Sequence, residues 1–163
     1  MSNLDTVQVR DARPQDVAAL HGLIGELADY EKLRHEFVGP VEALADHLFG
    51  EPRCAHALVA EVGGVVRGFA LYFFNYSTFL CRPGIYLEDL YVQPALRRRG
   101  IGLQLLTTLA QRAVARGCGR LEWAVLDWNT PSIAFYRQLG AKPMDEWTTF
   151  RLTGDALTRL AGS

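Results

Sequence analysis

The sequence predicts a mixed α/β domain, and three observations carry that expectation. Short runs that alternate apolar and polar residues, or concentrate aromatic and β-branched ones, recur along the chain. Longer segments repeat apolar residues at helical spacing, and glycines and prolines separate the two kinds. The resulting order is β-α-α-β-β-β-α-β-α-β, with strands on both sides of a central helix.

Val7-Gln-Val-Arg alternates and predicts an opening strand. Val17 to Leu33 predicts a helix, with Pro14 suited to its first turn. A shorter helix is expected from Val41 to Phe49, stopped by Gly50 and Pro52. Ala55 to Val62 predicts a strand, Gly63-Gly64 a hairpin turn, and Val65 to Tyr76 the returning strand. Ile85 to Val92 is the next strand, and Gly100 to Arg116 the central helix, stopped by Gly117 and Gly119. Arg120 to Leu126 is expected as a strand, Thr130 to Leu139 as a helix ended by Gly140, Trp147 to Leu152 as a late strand, and a short helix closes the chain. No repeat, low-complexity tract or linker interrupts residues 1–163, which are read as one domain.

Composition narrows the function. With 163 residues, 49% hydrophobic and 21% charged, the chain fits a globular protein with a full core. A formal net charge of −1 gives no general affinity for nucleic acid. The longest apolar runs, such as Gly68-Phe-Ala-Leu-Tyr-Phe-Phe, are too short to span a membrane, and Met1-Ser-Asn-Leu-Asp lacks the features of a signal peptide. Cys54, Cys81 and Cys118 are odd in number and widely spaced, so neither a disulfide framework nor a metal site is expected, and the four histidines show no ligand spacing. A cytoplasmic protein with free thiols and no metal is the expectation.

The most informative stretch is Tyr86-Leu-Glu-Asp-Leu-Tyr-Val-Gln-Pro-Ala-Leu-Arg97-Arg-Arg-Gly100-Ile-Gly102. It reads as a strand carrying two carboxylates, a short turn, and an Arg/Gly loop that opens a helix. Gly100 and Gly102 let the backbone approach a ligand closely. A helix starting there aims unpaired N–H groups and its positive dipole end at the loop, which suits an anion. Arg97, Arg98 and Arg99 add donors suited to phosphate. The alternative for this segment is a solvated basic turn before a helix. A P-loop would need Gly-Lys-Ser/Thr, and a dinucleotide fingerprint would need Gly or Ala where Leu105 stands. Downstream, Asp127-Trp128-Asn129-Thr130-Pro131-Ser132 falls between a strand and a helix, where its polar residues can act as helix caps.

Together these residues resemble the GNAT superfamily of acetyl-CoA-dependent N-acetyltransferases. The resemblance rests on Leu87-Glu-Asp-Leu-Tyr-Val, Arg97-x-x-Gly100-x-Gly102, Trp128-Asn129-x-Pro-Ser and Phe135-Tyr136-x-x-Leu-Gly140-Ala. Within it, Glu26-Leu-Ala-Asp-Tyr30-Glu31-Lys-Leu, Phe49-Gly50-Glu-Pro and Ala124-Val-Leu-Asp-Trp-Asn are similar to the diamine (spermidine/spermine) acetyltransferases and their thialysine-acetylating relatives. The resemblance implies a single GNAT-like domain with a mixed, mostly antiparallel sheet flanked by helices. It implies that Arg97 to Leu103, including Ile101, bind the pyrophosphate of acetyl-CoA. It places the backbone of Leu90, Tyr91 and Val92 along the acetyl-pantetheine arm and Asn129, Thr130, Pro131 and Ser132 on the cofactor's other side. Tyr136 falls at the family's general acid, also beside the cofactor. Tyr30, Glu31, Glu88, Asp89, Glu122, Trp123 and Ala124 match positions that meet the amine, and a ring of the Tyr72–Tyr76 run borders the acceptor groove. The family's late acidic substrate residue falls in a shortened stretch, where either Asp145 or Glu146 takes the role. A small-molecule amine partner and a homodimer, with exchanged C-terminal strands, are also implied.

The chemistry follows from charge. An alkyl amine has a pKa of roughly 10.4 and is protonated at neutral pH, so it needs a base before it can attack. Glu88, acting through a water, is the expected base. Asp89 ranks second because alternation sends neighbouring side chains to opposite faces unless a bulge intervenes. Protein amines, antibiotic amines and a non-catalytic CoA-binding role are the alternatives.

Overall fold

A computed structural model describes residues 6–162; the Met1–Asp5 stretch read above for targeting features lies outside them. The chain forms two compact units, Met1–Ala124 and Val125–Ser163.

The first unit is built on one five-stranded sheet in the order β1-β2-β3-β4-β5. Its strands are β1 (Val7–Asp11), β2 (His56–Val62), β3 (Val65–Ser77), β4 (Arg82–Val92) and β5 (Leu121–Trp123). The first four pair antiparallel, and β5 joins β4 in parallel. Three helices belong to this unit: α1 (Val17–Tyr30), α2 (Val41–Phe49) and α3 (Ile101–Ala115). The mixed, mostly antiparallel sheet flanked by helices is the class the sequence predicts.

Side-chain alternation divides the sheet between two cores. Leu20, Leu23 and Leu27 of α1 and Leu48 of α2 pack with Ala57, Val59, Phe69, Leu71 and Tyr91 on one face. On the other face Arg112 of α3 donates to the Tyr72 hydroxyl, and Arg116 lies over the Phe74 ring. Leu105, Leu106 and Leu109 of α3 are buried. Where β1 and β2 adjoin the start of α1, the Arg10 guanidinium bonds Asp16 and Glu61, each at 2.8 Å. That double pairing holds the Asp16 carboxyl below its usual range, chiefly through the hydrogen bond from Arg10.

Four predicted elements need correction. β4 begins at Arg82, not Ile85, because its pairing with β3 extends to Ser77. α1 ends at Tyr30, not Leu33, because Lys32 adopts a left-handed φ of 61° and Arg34–Glu36 form a separate 3-10 turn. β5 stops at Trp123, not Leu126, since its pairing with β4 covers only Ile85–Leu87. The late strand expected from Trp147 to Leu152 does not form. The second unit contains α4 (Thr130–Gln138) and α5 (Gly154–Ala161), joined by irregular chain. A strand needs a neighbour to satisfy its backbone, and no ladder among the described residues includes this segment. Its apolar side chains are consequently exposed, Trp147 to 74% and Phe150 to 93%. Among the described residues, no helix is long and apolar enough to cross a membrane.

Candidate active site

The site in the first unit begins with a break in register. β3 pairs Leu71 with Asp89 but Tyr72 with Leu87, leaving Glu88 without a partner in β3. This is a β-bulge, with two residues opposing one. Leu87 lies opposite Tyr72 on the α3 face, whereas Asp89 lies opposite Leu71 on the α1 face. The intervening Glu88 shares the α1 face with Asp89. The reason for ranking Asp89 second, that alternation separates the two carboxylates, therefore does not apply.

Electrostatics mark Asp89 within this pair. The Asp89 carboxyl is half-buried and is pushed up to about 7, first by burial and then by the charges of Glu88 and Glu31. Glu31, directly after α1, is itself raised by burial and by Glu88. Glu88 is exposed. Three carboxylates thus meet on this face, an arrangement that favours a bound cation. Further along that face Tyr86 stacks on Phe73 at a centroid distance of 5.2 Å, and Glu122 is paired with Tyr86 in the β4–β5 ladder. Burial, with Glu88 and Glu122, pushes the Tyr86 hydroxyl up. The Trp123 register partner is Leu87, and Ala124 lies just past the end of β5.

Beyond Leu87, β4 has no β5 partner. Glu88 to Val92 consequently leave one backbone edge outside any strand ladder of the described residues. This is the edge on which Leu90, Tyr91 and Val92 are expected to meet an acetyl-pantetheine arm. The strand then runs through a 3-10 turn, Pro94–Leu96, into the Arg/Gly loop. Arg98 and Gly100 both take left-handed φ values, 64° and 77°. Gly100 is the N-cap of α3 and makes no side-chain cap hydrogen bond, and a Cβ at Gly100 or Gly102 would meet nothing within 4 Å. An open turn, uncapped first-turn N–H groups from Ile101 to Leu103, and exposed Arg98 and Arg99 fit the pyrophosphate of acetyl-CoA.

Arg97 makes defined contacts within this unit. Its Nε donates to the Val92 carbonyl at 3.1 Å, and its guanidinium lies 4.7 Å from the Tyr30 ring centroid and 5.6 Å from that of Tyr91. It therefore braces the end of β4 against the last residue of α1. Gln93 extends the brace, receiving from Arg67 and donating to Glu26 of α1 at 3.1 Å. None of these supporting contacts is visible in a motif; they link residues far apart in sequence.

In the second unit, Asn129 is the N-cap of α4 but makes no side-chain cap hydrogen bond, so capping does not account for it. Its Oδ1 is buried without a hydrogen-bond partner. Thr130, Pro131 and Ser132 form the first turn. Tyr136 is half-buried with its ring 5.6 Å from that of Phe135. Asp145 and Glu146 are exposed at a turn closed by Trp147 N–H donating to the Met144 carbonyl at 3.1 Å. Among the described residues, no group of three or more His, Cys, Asp or Glu is arranged to hold a metal ion.

Comparison with known proteins gives this architecture its class. Residues 25–141 match the Acetyltransferase (GNAT) family. The thialysine N-epsilon-acetyltransferase of Bos taurus is 42% identical, with 96% of this chain and 98% of the relative covered. The L-ornithine N5-acetyltransferase of Arabidopsis thaliana is 34% identical over 92% of this chain and 86% of its own. Among solved structures, an integron cassette protein from the V. cholerae mobile metagenome superposes with a TM-score of 0.81 at 29% identity, covering 96% of this chain and 98% of that one. The chain belongs to the GNAT family. It is a GNAT-type acetyl-CoA-dependent acetyltransferase acting on amine-containing small molecules.

The raised Asp89 has a consequence for stability. Its carboxyl holds a proton more tightly in the folded than in the unfolded chain, so stability falls as pH rises from the ordinary value of 3.8 to about 7 and is flat above. Asp89→Asn removes the buried charge. Thermal melts are expected to show the variant about 3–8 °C more stable at pH 8, with the gap closing towards pH 4. A gap independent of pH would contradict this origin.

Proposed function

We propose that this chain transfers the acetyl group of acetyl-CoA to a primary amine of a polyamine, a diamine or a lysine-like amino acid, by direct attack of the amine. The observation that carries this reading is the bulge at Glu88, which gathers Glu88, Asp89 and Glu31 beside the unpaired edge of β4. The thialysine and ornithine acetyltransferases similar to this chain are named for amino-acid amines, which supports the same acceptor class.

When bound, acetyl-CoA supplies an activated acyl carbon. The protein's tasks are to hold the acceptor, remove its proton and stabilise developing charge. Glu31, Glu88 and Asp89 attract the ammonium group. Exposed Glu88 receives the amine's proton through a water, and Asp89 behind it, poised near neutrality, shares that proton. A backbone N–H at Leu90 or Tyr91 donates to the developing oxyanion, an effect worth about 3 kcal/mol. Tyr136 protonates the departing thiolate. Tyr30, Trp123, Ala124 and either Asp145 or Glu146 complete the acceptor contacts in this reading. Arg98 and Arg99 with the α3 N-terminus hold the pyrophosphate, and Asn129 to Ser132 hold the remainder of the cofactor.

A homodimer also belongs to the proposal. The exposed Trp147, Phe150 and Leu152 support it, because a second copy can cover apolar side chains that this chain leaves in water. Light scattering at micromolar concentration is expected to give twice the mass of one chain; a single-chain mass refutes the dimer.

CoA-thiol release is expected with at least one of spermidine, putrescine, lysine, ornithine or thialysine. Tyr136→Phe is expected to reduce kcat about 10- to 100-fold while leaving acetyl-CoA affinity within a factor of about three. Absence of turnover on every amine, with acetyl-CoA still bound, would overturn the proposal. The pH profile of kcat/KM tests the base separately. Its lower limb is expected near 7. Glu88→Gln removes a like charge beside Asp89, lowers the Asp89 pKa and moves the limb to lower pH, whereas Asp89→Asn abolishes it. An unmoved limb in both variants removes this pair from proton transfer.

A further inference from the structure

A cation, Arg120, lies among the carboxylates of the proposed acceptor face. Arg120, just before β5, bonds Glu122 through Nε at 2.8 Å. Asn75 of β3 donates Nδ2 to the same Glu122 Oε1 at 3.2 Å. The Asn75 Oδ1 is buried without a partner, against Gly84 of β4, where any Cβ would collide with it. The amide is therefore fixed, and it fixes the Glu122 carboxylate. The Arg120 stem passes over Gly84 too, its Cγ 3.3 Å from where a Cβ there would stand, so the glycine leaves room for it. Both ionic groups remain part-exposed, with side-chain exposures of 41% for Arg120 and 35% for Glu122.

Pairing in the sheet sets this cluster at a defined distance from the acidic end. Glu122 is paired with Tyr86, and Tyr86 with Phe73; Asp89 is paired with Leu71, two residues away along β3. Two residues of strand span about 7 Å. An extended side chain of lysine's length separates its terminal nitrogen from Cα by about 6 Å. An amine at Glu88 and Asp89 thus brings an α-carbon to the level of Glu122, whose carboxylate the Arg120 guanidinium contacts from two residues further along.

From this juxtaposition we infer that Arg120 and Glu122 read the zwitterionic head of an amino-acid acceptor, Arg120 taking the α-carboxylate and Glu122 the α-ammonium. The inference rests on the proposed acetyl transfer with the reacting amine at the β4 bulge. It separates the acceptor classes left open there. A polyamine bears positive charge along its whole length, and Arg120 repels it. An amino acid turns that same guanidinium into a charge-assisted hydrogen-bond donor; its Nε is occupied by Glu122, and four of its five donors belong to the terminal nitrogens. Glu122 alone would serve either class. Arg120 distinguishes them.

The test compares each amino acid with its decarboxylated counterpart: L-lysine against cadaverine and L-ornithine against putrescine, in the full-length protein. The wild type is expected to favour the amino acid by at least about tenfold in kcat/KM. Arg120→Met keeps an apolar stem beside Gly84 and removes the charge. It is expected to erase that preference by raising KM for the amino acid while KM for the diamine stays level or falls. Arg120→Lys restores part of the preference. Equal use of both members of a pair by the wild type overturns the inference, as does a proportional loss on both in Arg120→Met, which marks a purely structural ion pair. Turnover confined to spermidine or another amine overturns it while leaving acetyl transfer intact. Silence on every amine removes both.

Discussion

The bulge at Glu88 is the constraint on which the rest of the site depends. β4 must present apolar residues to α3 on one face and polar ones to the acceptor on the other, and a regular strand of this sequence does neither. Ile85 and Leu87 lie opposite Phe74 and Tyr72 on the α3 face. Continued without interruption, that alternation would place Asp89 and Tyr91 against α3 and turn Leu90 and Val92 the other way. Burying Asp89 in that apolar core would cost several kcal/mol without a partner. One extra residue resets the phase. Leu90 and Val92 return to the α3 face opposite Ala70 and Gly68, Tyr91 joins the α1 core, and both carboxylates emerge on the same side.

This explains which parts of the site were legible in the sequence. The Arg/Gly loop is local, and its helix, open turn and charges follow from ten neighbouring residues. The carboxylates were visible as residues, but their relation was not, because alternation alone separates Glu88 from Asp89. The signal was present in the apolar spacing: Ile85, Leu87, Leu90 and Val92 step by two, three and two, and the odd step is where the bulge falls. Arg97 illustrates the opposite limit. Its place in an arginine triplet does not reveal its contacts with Val92, Tyr30 and Tyr91, which come from tertiary packing between α1 and β4. Trp147 to Leu152 has a strand's pattern, but a strand is a paired object, and pattern alone does not supply a partner.

The two ends of β4 differ in how their polar groups are satisfied. At the loop end, Gln93 is bonded to Arg67 and Glu26, and Arg97 lies over the Tyr91 ring and reaches back to the Val92 carbonyl. The charged side chains there are tied to neutral polar groups. At the bulge end, Glu31, Glu88 and Asp89 repel one another, and no cation among the causes of the Asp89 shift offsets them. A fully paired network fixes geometry, while like charges held together store unfavourable energy. In the proposed site the polar groups at the loop end of the strand are thus tied together, while the carboxylates at the bulge end repel one another and favour a cation.

That asymmetry also separates the two ligand charges. An anion is favoured past the end of β4, at the α3 N-terminus with Arg98 and Arg99; a cation is favoured at the bulge, before the strand's last residues. Between them lies the edge of Leu90 to Val92 that faces away from β3 and has no β5 partner, whose backbone groups are neutral and directional. Moving either charged group into the other's place would set like charges against each other. One strand, by ending its pairing with β5 at Leu87 and admitting one extra residue at Glu88, would in the proposed reaction order donor, reacting centre and acceptor along its length.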